Sequence, residues 1–130
     1  MAKKNILVID DDRDLTQSIK VYFEARGFDV RTAHSGAAGM SEIEHVRPDL
    51  IVLDIMMDTD ADGFNLAFKL KNDETYRDIP IIIMSGFSDH LKTKSKSFEF
   101  VMDREWPASE YLKKPASLAS IDEAVRKLLD

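Results

Sequence analysis

The chain has 130 residues, 44% apolar and 32% charged, and its 18 Lys and Arg against 24 Asp and Glu leave a net charge of −6. That length suits one domain with a core of its own, and the acidic balance argues against direct nucleic-acid binding. Cysteine is absent, so disulfides, thiolate metal sites and thiol chemistry are excluded. No segment approaches the roughly 20 apolar residues of a membrane span, and the Met1-Ala2-Lys3-Lys4 start lacks the apolar stretch of a signal peptide, so the expected compartment is the cytoplasm, without membrane insertion.

Ile6-Leu7-Val8-Ile9 is a continuous apolar run, the pattern of a strand buried on both faces, and it ends in Asp10-Asp11-Asp12. Leu15, Ile19, Tyr22 and Phe23 then recur at helical spacing. Asp12 is placed to cap this helix, Asp14 favours its first turn, and Gly27 after Arg26 ends it. Residues 29–33 read as a short second strand, and Ser35 as the cap of a second helix with Ala37, Met40 and Ile43 inward. Pro48 stops that helix, and Leu50-Ile51-Val52-Leu53 form a third strand closed by Asp54. Phe64, Ala67 and Phe68 belong to a third helix. Pro80 opens a fourth strand over residues 81–84, at a position where its missing N–H is tolerated. The stretch from His90 to Trp106 carries the weakest signals, and residues 111–113 suit a short fifth strand. Leu118, Ile121, Val125 and Leu128 mark an amphipathic last helix, for which Ser120 has capping-box spacing with Glu123 but Ser117 serves equally well as the cap.

Five strands alternating with five helices predict an α/β fold, a single doubly wound parallel five-stranded sheet with helices on both faces. If the strand order is 2-1-3-4-5, the crevice where ligands bind lies beyond the C-terminal ends of strands 1 and 3, where the order reverses. Those strands end in Asp10, Asp11 and Asp54, while strand 4 adds Ser85 and strand 5 leads to Lys114. A carboxylate at the edge of a core calls for a partner, and a divalent cation and a lysine are the obvious ones. Two unit charges 4 Å apart interact by about 4 kcal/mol at an effective dielectric near 20, so three carboxylates with no cation would repel and destabilise the fold. Taken singly, Asp10 and Asp11 also read as helix-capping acids, Ser85 as a satisfied loop hydroxyl, and Lys113 as a solvated neighbour.

Four segments in this order, Ile6-Leu7-Val8-Ile9-Asp10-Asp11, Pro48-Asp49-Leu50-Ile51-Val52-Leu53-Asp54, Ile81-Ile82-Ile83-Met84-Ser85-Gly86 and Tyr111-Leu112-Lys113-Lys114-Pro115, resemble the receiver domain of two-component response regulators, a flavodoxin-like fold. The resemblance implies a single receiver domain over residues 1–130 with no output domain. It implies that Asp54 accepts a phosphoryl group from a phosphohistidine on a sensor histidine kinase or phosphotransfer protein and signals to a further, unidentified protein. Mg²⁺ would be held by Asp11, Asp54 and the backbone carbonyl of Met56, with Asp10 acting through water. Lys114 would pair with the phosphoryl oxygens, and a cis bond would join it to Pro115, against a base rate of about 5–6% for X–Pro. Ser85 and Tyr111 would form the switch, read out on the helix before strand 5, strand 5 and the last helix; Tyr111 also suits a plain strand aromatic half-packed on the surface. Such a domain catalyses its own phosphorylation and dephosphorylation and is not a turnover enzyme. Met56 and Phe87, two residues after Asp54 and Ser85, are apolar and offer no hydrogen bond to an attacking water, which predicts slow autodephosphorylation.

Besides ending with its last helix, so that no output domain is expected, the chain departs from the family pattern in two places. Asp58 stands where a proline is usual, and the loop from Asp58 to Asp62 is about one residue longer than usual. Asp58, Asp60, Asp62 and Gly63 mimic the start of a calcium loop, but the position that requires a bidentate Glu is Lys69, so a solvated acidic loop is the better reading. The interval from Ser85 to Lys114 is longer than usual by about two helical turns and holds Lys92, Lys94 and Lys96, then Phe98, Phe100, Val101 and Trp106. Two alternatives stand beside the receiver. An aspartate-based phosphohydrolase also forms an aspartyl phosphate, but Asp58-Thr59-Asp60 falls outside the strand; a degenerate receiver acting only as an interaction module fits poorly with a complete set of Asp10, Asp11, Asp54, Ser85 and Lys114.

Overall fold

Among the described residues nine elements follow in chain order: β1 (Asn5–Ile9), α1 (Arg13–Glu24), β2 (Asp29–Ala33), α2 (Gly36–His45), β3 (Leu50–Asp54), α3 (Asp62–Lys71), β4 (Ile81–Ser85), β5 (Glu110–Lys113) and α4 (Leu118–Leu129). This computed structural model describes residues 3–54, 62–85, 109–113 and 117–129. The helix expected between β4 and β5 lies outside the described residues, as do the aromatics and lysines of residues 86–108.

The strands form one five-stranded sheet in the order β2-β1-β3-β4-β5, every neighbouring pair parallel. Strand periodicity sends alternate side chains to opposite faces. Leu7, Ile9, Ile51, Leu53, Ile81 and Ile83 pack with Ile43 of α2 and Leu66, Ala67 and Leu70 of α3. Ile6, Val8, Leu50, Val52, Ile82 and Met84 pack with Ile19 and Phe23 of α1 and Ile121, Ala124 and Val125 of α4. Both faces are therefore apolar, which is why the strands read as unbroken apolar runs rather than alternating ones.

The helix ends follow the sequence cues. Asp12 caps α1, its carboxylate accepting from the Leu15 N–H at 3.0 Å. Beyond α1 the chain turns through Gly27 at φ 91°, with the Phe28 N–H on the Phe23 carbonyl at 3.1 Å and the Gly27 N–H on the Glu24 carbonyl at 3.2 Å. Only a residue without a Cβ adopts that conformation cheaply. Ser35 caps α2 through the Ala38 N–H at 3.1 Å. Of the two serines competing to cap α4, Ser117 does so: its hydroxyl accepts from the Ser120 N–H at 3.1 Å and its carbonyl from the Ile121 N–H at 3.0 Å.

One inward assignment is corrected. Ala37 is exposed, and the buried residues of α2 are Gly36, Gly39 and Ile43, with Met40 half-buried. A Cβ on Gly39 would stand 2.6 Å from Ile9 Cδ1, so a larger residue there requires the Ile9 side chain to shift. Small residues hide this preference from a periodicity argument, because the helix buries the side on which its backbone can approach the sheet.

Candidate functional site

The parallel register brings the C-terminal ends of β1 and β3 together. Ile9 pairs with Leu53, so Asp10 and Asp54 occupy the next level of neighbouring strands, at the point where the strand order reverses. Asp10 is fully buried and Asp54 is 2% exposed, whereas Asp11 is exposed. One carboxylate oxygen from each of Asp10, Asp11 and Asp54 lies within 4.8 Å of the others. At that range two unit charges repel by roughly 3 kcal/mol at an effective dielectric near 20. The donor set is wholly carboxylate oxygen, the chemistry that suits a hard divalent cation such as Mg²⁺ or Ca²⁺.

Local hydrogen bonds fix the segment that carries Asp10 and Asp11. The Asp10 N–H donates to the Ala33 carbonyl at 3.0 Å, extending the β1–β2 ladder by one step. Asp10 Oδ1 in turn accepts from the Asp12 N–H at 2.9 Å, folding the chain back toward α1. Asp12 is then committed to its cap, as read from the sequence, and is not one of the clustered acids.

The other predicted residues divide into two groups. Asp54 pairs with Met84 on β4, so the backbone of Ser85 stands one position further along the same edge, and Ser85 pairs with Lys113 on β5. Tyr111 is half-buried and packs on the face of the sheet covered by α2 and α3, not on the α1 and α4 face that receives Leu112. Lys114, Pro115, Met56 and Phe87 lie outside the described residues, and so does the loop from Asp58 to residue 61; Asp62 opens α3.

Two further side chains, one on α1 and one just after β2, meet each other and were not singled out from sequence. Thr16 on α1 is 2% exposed, and its hydroxyl lies 3.2 Å from Nε2 of His34, the first residue after β2. The available signal was a hydroxyl on the apolar stripe of α1, between Leu15 and Ile19.

The family model described as response regulator receiver domain matches residues 6–126 of this chain. The chain belongs to the response regulator receiver family. Over 124 residues the receiver is 32% identical to the DNA-binding dual master transcriptional regulator RpaA of Synechocystis sp., covering 95% of this chain and 48% of that protein. It is 30% identical over 126 residues to the alkaline phosphatase synthesis transcriptional regulatory protein PhoP of Bacillus subtilis, covering 97% of this chain and 48% of that protein. The receiver thus spans about half the length of these curated relatives. Among solved structures, a CheY-like response regulator receiver domain protein from Methanospirillum hungatei superposes with a TM-score of 0.82 at 25% identity, over 99% of this chain and 95% of that one. The phosphohydrolase reading finds no support in these relatives. Among the described residues no helix is long and apolar enough to cross a membrane.

Proposed function

We propose that this receiver takes a phosphoryl group onto Asp54 from a phosphohistidine of a sensor histidine kinase or phosphotransfer protein. The observation that carries this reading is the meeting of Asp10, Asp11 and Asp54 within 4.8 Å at the reversal point of a receiver sheet. A carboxylate oxygen of Asp54 forms the new P–O bond as the histidine N–P bond breaks, and the released nitrogen keeps the electron pair. Phosphoryl transfer depends mainly on positioning and charge neutralisation, so a carboxylate suffices as the nucleophile. Mg²⁺ fits the oxygen set and supplies charge neutralisation when bound; Asp11, Asp54 and the Met56 carbonyl would hold it, with Asp10 acting through water. Lys114 pairs with the phosphoryl oxygens, and the Ser85 hydroxyl donates to the group once it arrives.

Burial of Asp54 supports this role, because a carboxylate walled in on both sides meets a donor only through the open edge of the sheet. Ser85 and Tyr111 form the switch, read out on β5, α4 and the segment before β5 by a downstream protein partner. The domain promotes its own phosphorylation and dephosphorylation and turns over no separate substrate. Its net charge of −6 favours protein partners over direct nucleic-acid contact, in the cytoplasm where kinase and receiver meet. The test is incubation with acetyl phosphate and Mg²⁺ followed by intact-mass and peptide mapping. One added phosphoryl group on Asp54, absent from Asp54→Ala, is expected; labelling elsewhere, or none, overturns the assignment.

A further inference from the structure

We propose that His34 is a positioning residue of the acidic pocket, holding through Thr16 the segment that presents Asp11. This rests on the reading of the pocket as a cation site. The residues at the end of β2 grip the segment 10–16 at both ends. At its entry the Ala33 carbonyl accepts from the Asp10 N–H at 3.0 Å. At its exit the His34 ring meets the Thr16 hydroxyl at 3.2 Å.

The intervening bonds close a circuit. Asp10 Oδ1 holds the Asp12 N–H at 2.9 Å, and the Asp12 carbonyl holds the Thr16 N–H at 3.0 Å. Asp11 sits inside this circuit and is the exposed member of the three clustered acids. A threonine hydroxyl has one hydrogen to give and two lone pairs to receive. Thr16 directs that hydrogen to the Arg13 carbonyl at 3.1 Å. With that hydrogen on the Arg13 carbonyl, Thr16 Oγ1 is left to accept from the His34 ring in the tautomer that carries its proton on Nε2. Thr16 is 2% exposed, so water replaces that donor poorly when the imidazole is removed.

A short loop between a strand and a helix has several backbone positions open to it unless its neighbours hold it. A cation gains affinity where that freedom has already been removed, which is the general effect of outer-shell partners on first-shell ligands. His34 and Thr16 supply this from outside the ligand set.

The experiment is calorimetric titration of MgCl₂ into the parent chain and into His34→Ala, Thr16→Val and His34→Gln, at a temperature where circular dichroism shows each folded. His34→Ala and Thr16→Val, made on opposite sides of one bond, are each expected to weaken Mg²⁺ binding by about three- to tenfold, at or below the low end of outer-shell effects. The double variant should bind no more weakly than Thr16→Val alone, and His34→Gln, which keeps a donor, should stay close to the parent. If the parent binds Mg²⁺ and both single variants match it, the inference falls and the pocket reading stands, even where their melting temperatures drop. If the parent itself binds no Mg²⁺, the pocket reading fails and takes the inference with it.

Discussion

The Tyr22 hydroxyl donates to Asp122 Oδ2 at 2.6 Å, joining α1 to α4 across a separation of 100 residues. Arg126 Nε meets the other oxygen of the same carboxylate at 2.6 Å, and Arg26 Nε approaches Asp122 Oδ2 at 3.5 Å while its guanidinium lies 3.7 Å from the centre of the Tyr22 ring. The hydrogen bond raises the Tyr22 pKa above its ordinary 10.0 and lowers that of Asp122 below its ordinary 3.8, where the two arginines act in the same direction. This seam therefore has a pH signature with two edges.

For Asp122 the folded pKa is depressed, so its contribution to stability is present above pH 3.8 and is lost as pH falls through the lowered value. For Tyr22 the folded pKa is raised, so its contribution is complete below pH 10.0 and is lost as pH rises through the raised value. Urea unfolding across pH should show Asp122→Asn less stable than the parent at neutral pH, with the gap closing in acid. Tyr22→Phe should show a gap that closes in alkali. A gap that stays constant with pH would contradict this account of the seam.

Gly39 and Ile9 make a second pair with a measurable coupling. Because a Cβ at Gly39 would meet Ile9 Cδ1 at 2.6 Å and Cγ1 at 3.0 Å, the side chain of a fully buried isoleucine must shift to admit it. Gly39→Val should cost about 1–3 kcal/mol, as overpacking generally does. Ile9→Val removes the atom in the way and should recover part of that cost, although alone it costs about 0.5–1.5 kcal/mol. Additive effects in the double-mutant cycle would mean that α2 simply moves away.

The acidic pocket predicts a metal-dependent melt. Three carboxylates within 4.8 Å repel one another, and a bound cation relieves that repulsion. Mg²⁺ at about ten times its dissociation constant should add roughly 1.4 kcal/mol of stability. Asp54→Ala should melt higher than the parent in chelator and gain little from Mg²⁺. A parent whose melting temperature ignores Mg²⁺, beside an Asp54→Ala that melts higher, would argue against a working metal site.

The phosphorylated protein should decay slowly. If Met56 and Phe87 flank the phosphoryl group, as the proposed site implies, their apolar side chains would offer an in-line water no hydrogen bond, and hydrolysis would lack a positioned nucleophile. Loss of the phosphoryl group, followed by intact mass after removal of the donor, should take minutes or longer; decay within seconds would refute it.

What the sequence determined by itself is carried by local physics. Apolar runs four residues long, each closed by aspartate, announce strands buried on both faces and place carboxylates at their ends, because hydrophobic period and chain order need no knowledge of distant contacts. Asp12 and Ser35 were legible as caps for the same reason, since their partners lie three residues ahead. Alternation and crossover handedness leave few topologies, and the order 2-1-3-4-5, one of these, brings Asp10, Asp11 and Asp54 together. The tertiary structure decided what depends on which surfaces touch. Ser117 rather than Ser120 caps α4 because the chain enters that helix one turn earlier. Gly39 rather than Ala37 faces β1, where the Ile9 side chain fills the space that a Cβ would need. The bonds from Tyr22 to Asp122 and from His34 to Thr16 join elements far apart in sequence, and no spacing rule carries information over that range.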